Sequence, residues 1–191
     1  MTGRPGTLEI IAGPMFSGKS EELIRRVRRA QIARQRVQVF SHALDTRYGD
    51  NQVRSHDGGA LAAIPVSGSG ELEARLDPEA EVVAVDEVQF MDEGIGRLAE
   101  RLVAGGTRVI LAGLDTDFRG EPFGPMPQLL ARADRIEKLE AVCVICGDPA
   151  QRTQRLVEGV PAPYGAPIIQ IGAKEAYEAR CRLHHEVPGK P

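Results

Sequence analysis

The sequence predicts an α/β protein with a mainly parallel sheet, followed by a smaller domain of different composition. Three observations carry this. Apolar, strand-like runs alternate with amphipathic helical patterns between residues 8 and 113. Such alternation implies parallel strands with both faces covered. The glycine-rich segment GPMFSGKS (13–20) falls between the first strand and the first helix. Near residue 141 the composition changes to cysteine pairs, Pro and Gly, with no long amphipathic pattern. The predicted domains are therefore 1–140 and 141–191.

The elements follow in order. LEIIA (8–12) reads as a buried strand. Residues 19–34 read as a helix, with Leu23, Val27 and Ala30 on one face and arginines on the rest. RVQVF (36–40) is a second strand, 41–59 a long polar loop, and LAAIPV (61–66) a third strand. A loop of that length in a compact domain is usually functional. EVVAV (81–85) is a β-branched buried strand. Residues 94–104 form a helix through Ile95, Leu98 and Leu102, stopped by Gly105-Gly106, and TRVILAG (107–113) is a further strand. Residues 1–6 and 186–191 are expected to fray, and there is no internal repeat.

Composition excludes several classes. The 191 residues carry a net charge of −3, with no Trp, 5 Phe and 3 Tyr. Neither a global attraction to nucleic acid or anionic membrane nor an aromatic platform for single strands is expected. No secretory leader is evident at the N-terminus, and the longest charge-free run (159–173) is interrupted by Pro and Gly. A cytoplasmic protein with no nucleic-acid or membrane partner is the expectation.

Gly13, Gly18, Lys19 and Ser20 satisfy G-x-x-x-x-G-K-[ST], with a strand before and a helix after. Glycines let the loop fold back so that the amides of residues 13–20 (Gly13, Pro14, Met15, Phe16, Ser17, Gly18, Lys19, Ser20) surround one anion; Pro14 contributes shape and no amide. The following helix adds its positive end. Lys19 can reach the β- and γ-phosphates of a nucleotide, and the Ser20 hydroxyl can ligate Mg²⁺. Such a loop needs a second metal-side ligand at a neighbouring strand end. Asp86 follows four apolar residues and fills that role, and Glu87 follows it. A carboxylate beside the metal can take a proton from an acceptor hydroxyl, or activate water. The pair specifies phosphoryl chemistry and leaves the acceptor open.

Cys143-x-x-Cys146 and Cys181-x-x-His184 are two chelating pairs. Three sulfurs and an imidazole make a closed tetrahedral set suited to structural Zn²⁺. His185 adjoins His184 and is an alternative fourth ligand. Arg25, Arg26, Arg28 and Arg29 are read as a solvated helix face. His42 and His56, in the polar loop, are left without a role.

Together these residues resemble the type II thymidine kinase family, the compact zinc-containing kind found in bacteria and as the cytosolic animal enzyme. The matching segments run in order: GPMFSGKS (13–20), LDTRYG (44–49), SHDGG (55–59), DEVQF (86–90), GLDTDFRGEPFGPMPQLL (113–130), CVICG (143–147), QRLVEG (154–159) and IGAKEAYEARCRLHH (171–185). The resemblance implies a RecA-like P-loop domain and a small zinc domain carrying a lasso-like loop. It implies ATP and thymidine as substrates, with Mg²⁺ and structural Zn²⁺. Glu87 is then the general base for the thymidine 5′-hydroxyl and Asp86 the metal-side carboxylate. Asp45, Thr46, Arg47 and Gln89 fall in segments that go with the nucleotide phosphates. Met15 and Leu114 fall near the thymine methyl, and Phe118 and Tyr177 pack around thymidine. Ile168, Ile169, Gln170, Ile171 and Gly172 belong to the lasso, which holds the nucleoside largely through backbone groups. A homotetramer and feedback inhibition by thymidine triphosphate are implied as well. Met91 stands where a second Phe is common, and His184 where animal members carry Cys.

Two other readings of a P-loop fit less well. A GTPase switch reads guanine through Asn-Lys-x-Asp, and the only asparagine here is Asn51. A DNA-dependent motor needs a basic track, which this net charge does not suggest.

Overall fold

The structure, a computed structural model, describes residues 6–44, 52–54, 60–169 and 175–191. The chain runs β1 (Thr7–Ala12), α1 (Lys19–Ile32), β2 (Val37–His42), β3 (Gln52–Arg54), β4 (Ala60–Ala62), β5 (Ile64–Val66), α2 (Ser69–Ala74) and β6 (Val82–Asp86). A 3₁₀ turn (Val88–Phe90) leads to α3 (Gly94–Ala104), β7 (Arg108–Gly113), α4 (Met126–Arg132) and β8 (Arg135–Lys138). The remainder is β9 (Ala141–Val142), β10 (Pro149–Ala150), β11 (Arg152–Val157), β12 (Val160–Pro161) and β13 (Glu175–Arg180).

The expected parallel sheet is present. Six strands lie in the order β5-β2-β6-β7-β1-β8, all parallel. The two-residue side-chain period sorts the apolar residues onto two faces. Leu8 and Ile10 of β1, Val83 and Val85 of β6, and Val109 and Leu111 of β7 join Ile95 and Leu98 of α3 on one face. Ile11, Val82, Ala84, Ile110 and Ala112 meet Leu23, Ile24, Val27 and Ala30 of α1 on the other. Each fully buried aliphatic side chain of this kind contributes about 1.5–3 kcal/mol relative to exposure. Both β1 and β6 therefore end, buried, at one edge of the sandwich, where the glycine-rich turn and Asp86 emerge.

Several boundaries differ from expectation. The helix expected over 19–34 stops at Ile32, because Arg34 takes a left-handed conformation (φ 58°) and Gln35 N–H closes onto the Ala30 carbonyl. The second strand runs on to His42, so Ser41 and His42 are buried sheet residues rather than loop. The expected loop 41–59 contains β3, paired antiparallel with β4. The expected strand 61–66 is two strands, because its second half turns to join the main sheet beside β2. Arg26 is not part of a solvated face. Its guanidinium bonds Glu22 and Glu137 and reaches the buried Glu9, which also takes two bonds from Arg108.

Beyond Lys138 the chain leaves the parallel sheet. β9 and β10 form a short hairpin, and β12, β11 and β13 form an antiparallel sheet. Glu158 (φ 50°) and Gly159 (φ 82°) make the two-residue turn between β11 and β12, the left-handed pair that tight hairpins require. The C-terminal segment expected to fray is held: Pro188 O accepts the Tyr164 N–H at 2.8 Å and Lys190 Nζ donates to Arg119 O at 2.6 Å.

Candidate active site

The turn after β1 is shaped by glycine. A Cβ on Gly13 (φ 153°) would sit 2.5 Å from Leu139 O, so only glycine fits. Gly18 (φ 85°) caps α1 in the left-handed region, where side-chain-bearing residues are strained. Ser17 Oγ donates to Pro14 O at 2.8 Å, and Lys19 Nζ donates to the same oxygen at 2.6 Å. The lysine thus spans its own loop. With the loop amides and the amino end of α1, this is a fitting cradle for a nucleotide's phosphates.

Across the sheet edge, Ser20 Oγ donates to Asp86 Oδ2 at 2.7 Å, and the Glu87 N–H donates to Asp86 Oδ1 at 2.9 Å. Burial, then the neighbouring Glu87 charge, pushes the Asp86 carboxyl up to about 7, against the lowering effects of Ser20, the Glu87 N–H and Lys19. A hydroxyl and a carboxylate this close form a hard-oxygen pair that fits Mg²⁺, whose charge would favour ionised Asp86.

Glu87 has a left-handed backbone (φ 54°, ψ 37°) that opens the 3₁₀ turn. For a non-glycine residue this conformation is uncommon and marks a constrained position. Buried Gln89 holds it: its amide nitrogen donates to Glu87 Oε2, and its amide oxygen accepts the Leu114 N–H at 3.0 Å. Gly113 and Gly124 leave room for that contact. A Cβ on Gly113 would lie 2.7 Å from Gln89 Oε1, and one on Gly124 2.2 Å from Gln89 O. Gln89, predicted beside the phosphates, here links Glu87 to the segment after β7.

The described residues predicted to line a nucleoside pocket have the following contacts. Met15 N–H donates to Thr153 Oγ1 of β11 at 3.0 Å. Phe118 is buried, with its carbonyl accepting from His185 Nε2 at 2.8 Å and its ring under the Arg155 guanidinium. Leu114 is half-buried, Ile168 and Ile169 are exposed, and Tyr177 lies on β13 opposite Arg155. Asp45, Thr46, Arg47, Gln170, Ile171 and Gly172 lie outside the described residues, as does His56. His42, given no role from sequence, is buried at the end of β2 with its ring 5.8 Å from that of Phe90; its Nδ1 accepts the Leu44 N–H, and burial lowers its pKa. Thr153, Arg155 and His185, which touch Met15 and Phe118, were not singled out from sequence for this region. Their contacts are long-range, and only QRLVEG hinted at that strand.

Cys143, Cys146, Cys181 and His184 converge, with all four ligand atoms within 4.8 Å of one another. Cys146 and Cys181 sulfurs are 3.8 Å apart, and His184 Nδ1 is 3.7 Å and 3.2 Å from the Cys143 and Cys181 sulfurs. Tetrahedral zinc with ordinary bond lengths needs about 3.8 Å between sulfurs and about 3.6 Å between sulfur and nitrogen. The set fits zinc, and His185, turned to Phe118 O, is not in it. Gly147 (φ 80°) closes the first pair through its N–H to Cys143 O at 2.9 Å.

A cradle for polyanionic phosphate facing a hydroxyl–carboxylate pair suits phosphoryl transfer from a nucleotide, and the chain is an ATP-dependent kinase. Comparison with protein families makes this specific: the model of the thymidine kinase family matches residues 6–185. The chain belongs to the thymidine kinase family, and its chemistry is thymidine phosphorylation with ATP. Among the described residues no helix is long and apolar enough to cross a membrane.

Proposed function

We propose that the protein transfers the γ-phosphoryl group of ATP to the 5′-hydroxyl of thymidine, giving dTMP for pyrimidine salvage, with Glu87 as general base. The supporting observation is the Ser20–Asp86 bond, which brings the carboxylate pair to the glycine-rich turn. Lys19 and the amides of residues 13–20 hold the β- and γ-phosphates. Ser20 and Asp86 hold Mg²⁺, whose charge offsets that of the phosphates. Glu87, oriented by Gln89, accepts the 5′-hydroxyl proton as that oxygen attacks the γ-phosphorus. The new O–P bond forms as the bond to the ADP oxygen breaks, and the proton ends on Glu87.

On this reading Asp45, Thr46 and Arg47 assist at the nucleotide phosphates. Met15, Leu114, Phe118, Tyr177 and the 168–172 backbone enclose the nucleoside. Residues 1–140 act as the P-loop domain and 141–191 as a zinc-pinned domain carrying the covering loop. A cytoplasmic homotetramer inhibited by thymidine triphosphate completes the reading. The test is incubation with labelled ATP, Mg²⁺ and thymidine. Labelled dTMP is expected; ATP turnover that needs DNA, or GTP turnover with no acceptor, would replace this reading.

A further inference from the structure

Arg155 is fully buried, with none of its surface exposed, and is the largest such side chain among the described residues. Its strand, β11, is the middle of the antiparallel sheet, and Arg155 stands opposite Tyr177. Its guanidinium carbon is 5.1 Å from the centre of the Phe118 ring. Its Nη1 donates to Pro167 O at 2.5 Å, while its own carbonyl accepts the Ala162 N–H at 3.0 Å. One residue therefore ties both ends of the turn 162–167. That turn is closed by the Ala166 N–H on Pro163 O, and Arg119 lies 5.1 Å over the Tyr164 ring.

Burying a guanidinium is costly, and an apolar side chain of similar length would fill the space at lower cost. What the guanidinium adds is directional. Its flat face stacks on an aromatic ring while its edge donates in the plane. Here the guanidinium carbon lies over the Phe118 ring while Nη1 donates to Pro167 O, the end of the turn 162–167. We propose that Arg155 is a positioning residue of the nucleoside site. It fixes the position of the Phe118 ring and of the turn 162–167 beside it. This rests on the thymidine site proposed above. Arg155 does not touch the reacting atoms in this role; it acts through Phe118 and the turn 162–167.

The test compares wild type, Arg155→Met and Arg155→Lys in steady-state kinetics, varying thymidine and ATP separately. For both variants kcat/KM for thymidine is expected to fall about ten- to a hundredfold while KM for ATP stays within about twofold, because only nucleoside placement is disturbed. Lysine keeps the charge but loses the planar fork, so it is not expected to rescue. Hydrogen exchange at 162–169 is expected to quicken in the variants, with the amides of 13–20 unchanged. Equal losses for both substrates, or full rescue by lysine, would overturn the positioning role. So would unfolding of both variants, which would make Arg155 a residue of the fold. If wild type itself makes no dTMP, the thymidine reading fails first and this inference with it.

Discussion

Replacing Glu87 with glutamine isolates proton transfer from everything else at the sheet edge. The two side chains have nearly the same shape. Gln89 donates to Glu87 Oε2, and a glutamine oxygen at that place can accept the same bond. The left-handed backbone at residue 87 meets the same Cβ and Cγ in glutamine as in glutamate, so the exchange adds no steric strain there. Ser20 and Asp86 remain 2.7 Å apart, so the metal pair is preserved. What is lost is the carboxylate proposed to accept the 5′-hydroxyl proton. General-base catalysis is worth about a hundred- to ten-thousandfold, or about 2.7–5.5 kcal/mol in barrier height. Glu87→Gln should therefore lower kcat by at least about a hundredfold, with ATP affinity within about twofold. The assay is single-turnover dTMP formation at saturating ATP, alongside a nucleotide-binding titration. Turnover within a few-fold of wild type would remove Glu87 as the base. Loss of ATP binding in parallel would mean that the substitution had disturbed the phosphate loop instead.

Other expectations concern separate parts of the molecule. Lys19→Ala should lower kcat/KM for ATP at least about a hundredfold, since the lysine is the only side-chain cation in the loop; unchanged ATP kinetics would remove the cradle. Elemental analysis should find one zinc per chain, and a strong chelator should speed proteolysis within 141–191 before the parallel sheet is cut; active, zinc-free protein would refute the site. The Glu22 carboxyl is held down to about 2, first by the Arg25 hydrogen bond and then by Arg26, against burial. A depressed carboxylate stabilises the fold fully above its unfolded value near 4.3 and loses that effect as pH falls toward 2. The difference in Tm between wild type and Glu22→Gln should thus be constant above about pH 5 and shrink below it; a difference independent of pH would exclude the ion pairs as its cause.

How far the sequence reached depends on the range of the interactions involved. The glycine-rich turn was legible because its shape is local: Gly13 and Gly18 sit where the chain must pass from β1 into α1. The convergence of Cys143, Cys146, Cys181 and His184 was legible because two-residue spacing brings the side chains of each pair together. His184 and His185 could not be separated by spacing, and the contact of His185 with Phe118 O, 67 residues away in the chain, separates them. Strand order was not legible, since apolar runs 82–86 and 108–113 look alike while only the latter pairs with β1. The short helices α2 and α4 escaped because six or seven residues are too few for a periodic pattern. Gln89 was assigned from its motif, and the long-range bond from Leu114 N–H to its side chain has no sequence signal.

The same reasoning explains why substrate choice is harder to read than phosphate chemistry. On the proposed mechanism the acceptor must lie in line with the γ-phosphorus, and misplacement of about 1 Å can cost a hundredfold. One strand bears on both sides of that distance. Thr153 and Arg155, two apart on β11, point to one face. Thr153 accepts from Met15 in the phosphate turn, while Arg155 reaches Phe118 and Pro167 on the proposed nucleoside side. β11 is in turn paired along its length with β13, which leads directly into Cys181 of the metal cluster. Zinc held by that cluster would stiffen β11, the strand that on this reading spaces donor from acceptor. Partial metal loss should then appear first as poorer use of thymidine, before any change in affinity for ATP, because the phosphate turn is built on the parallel sheet and only leans on β11.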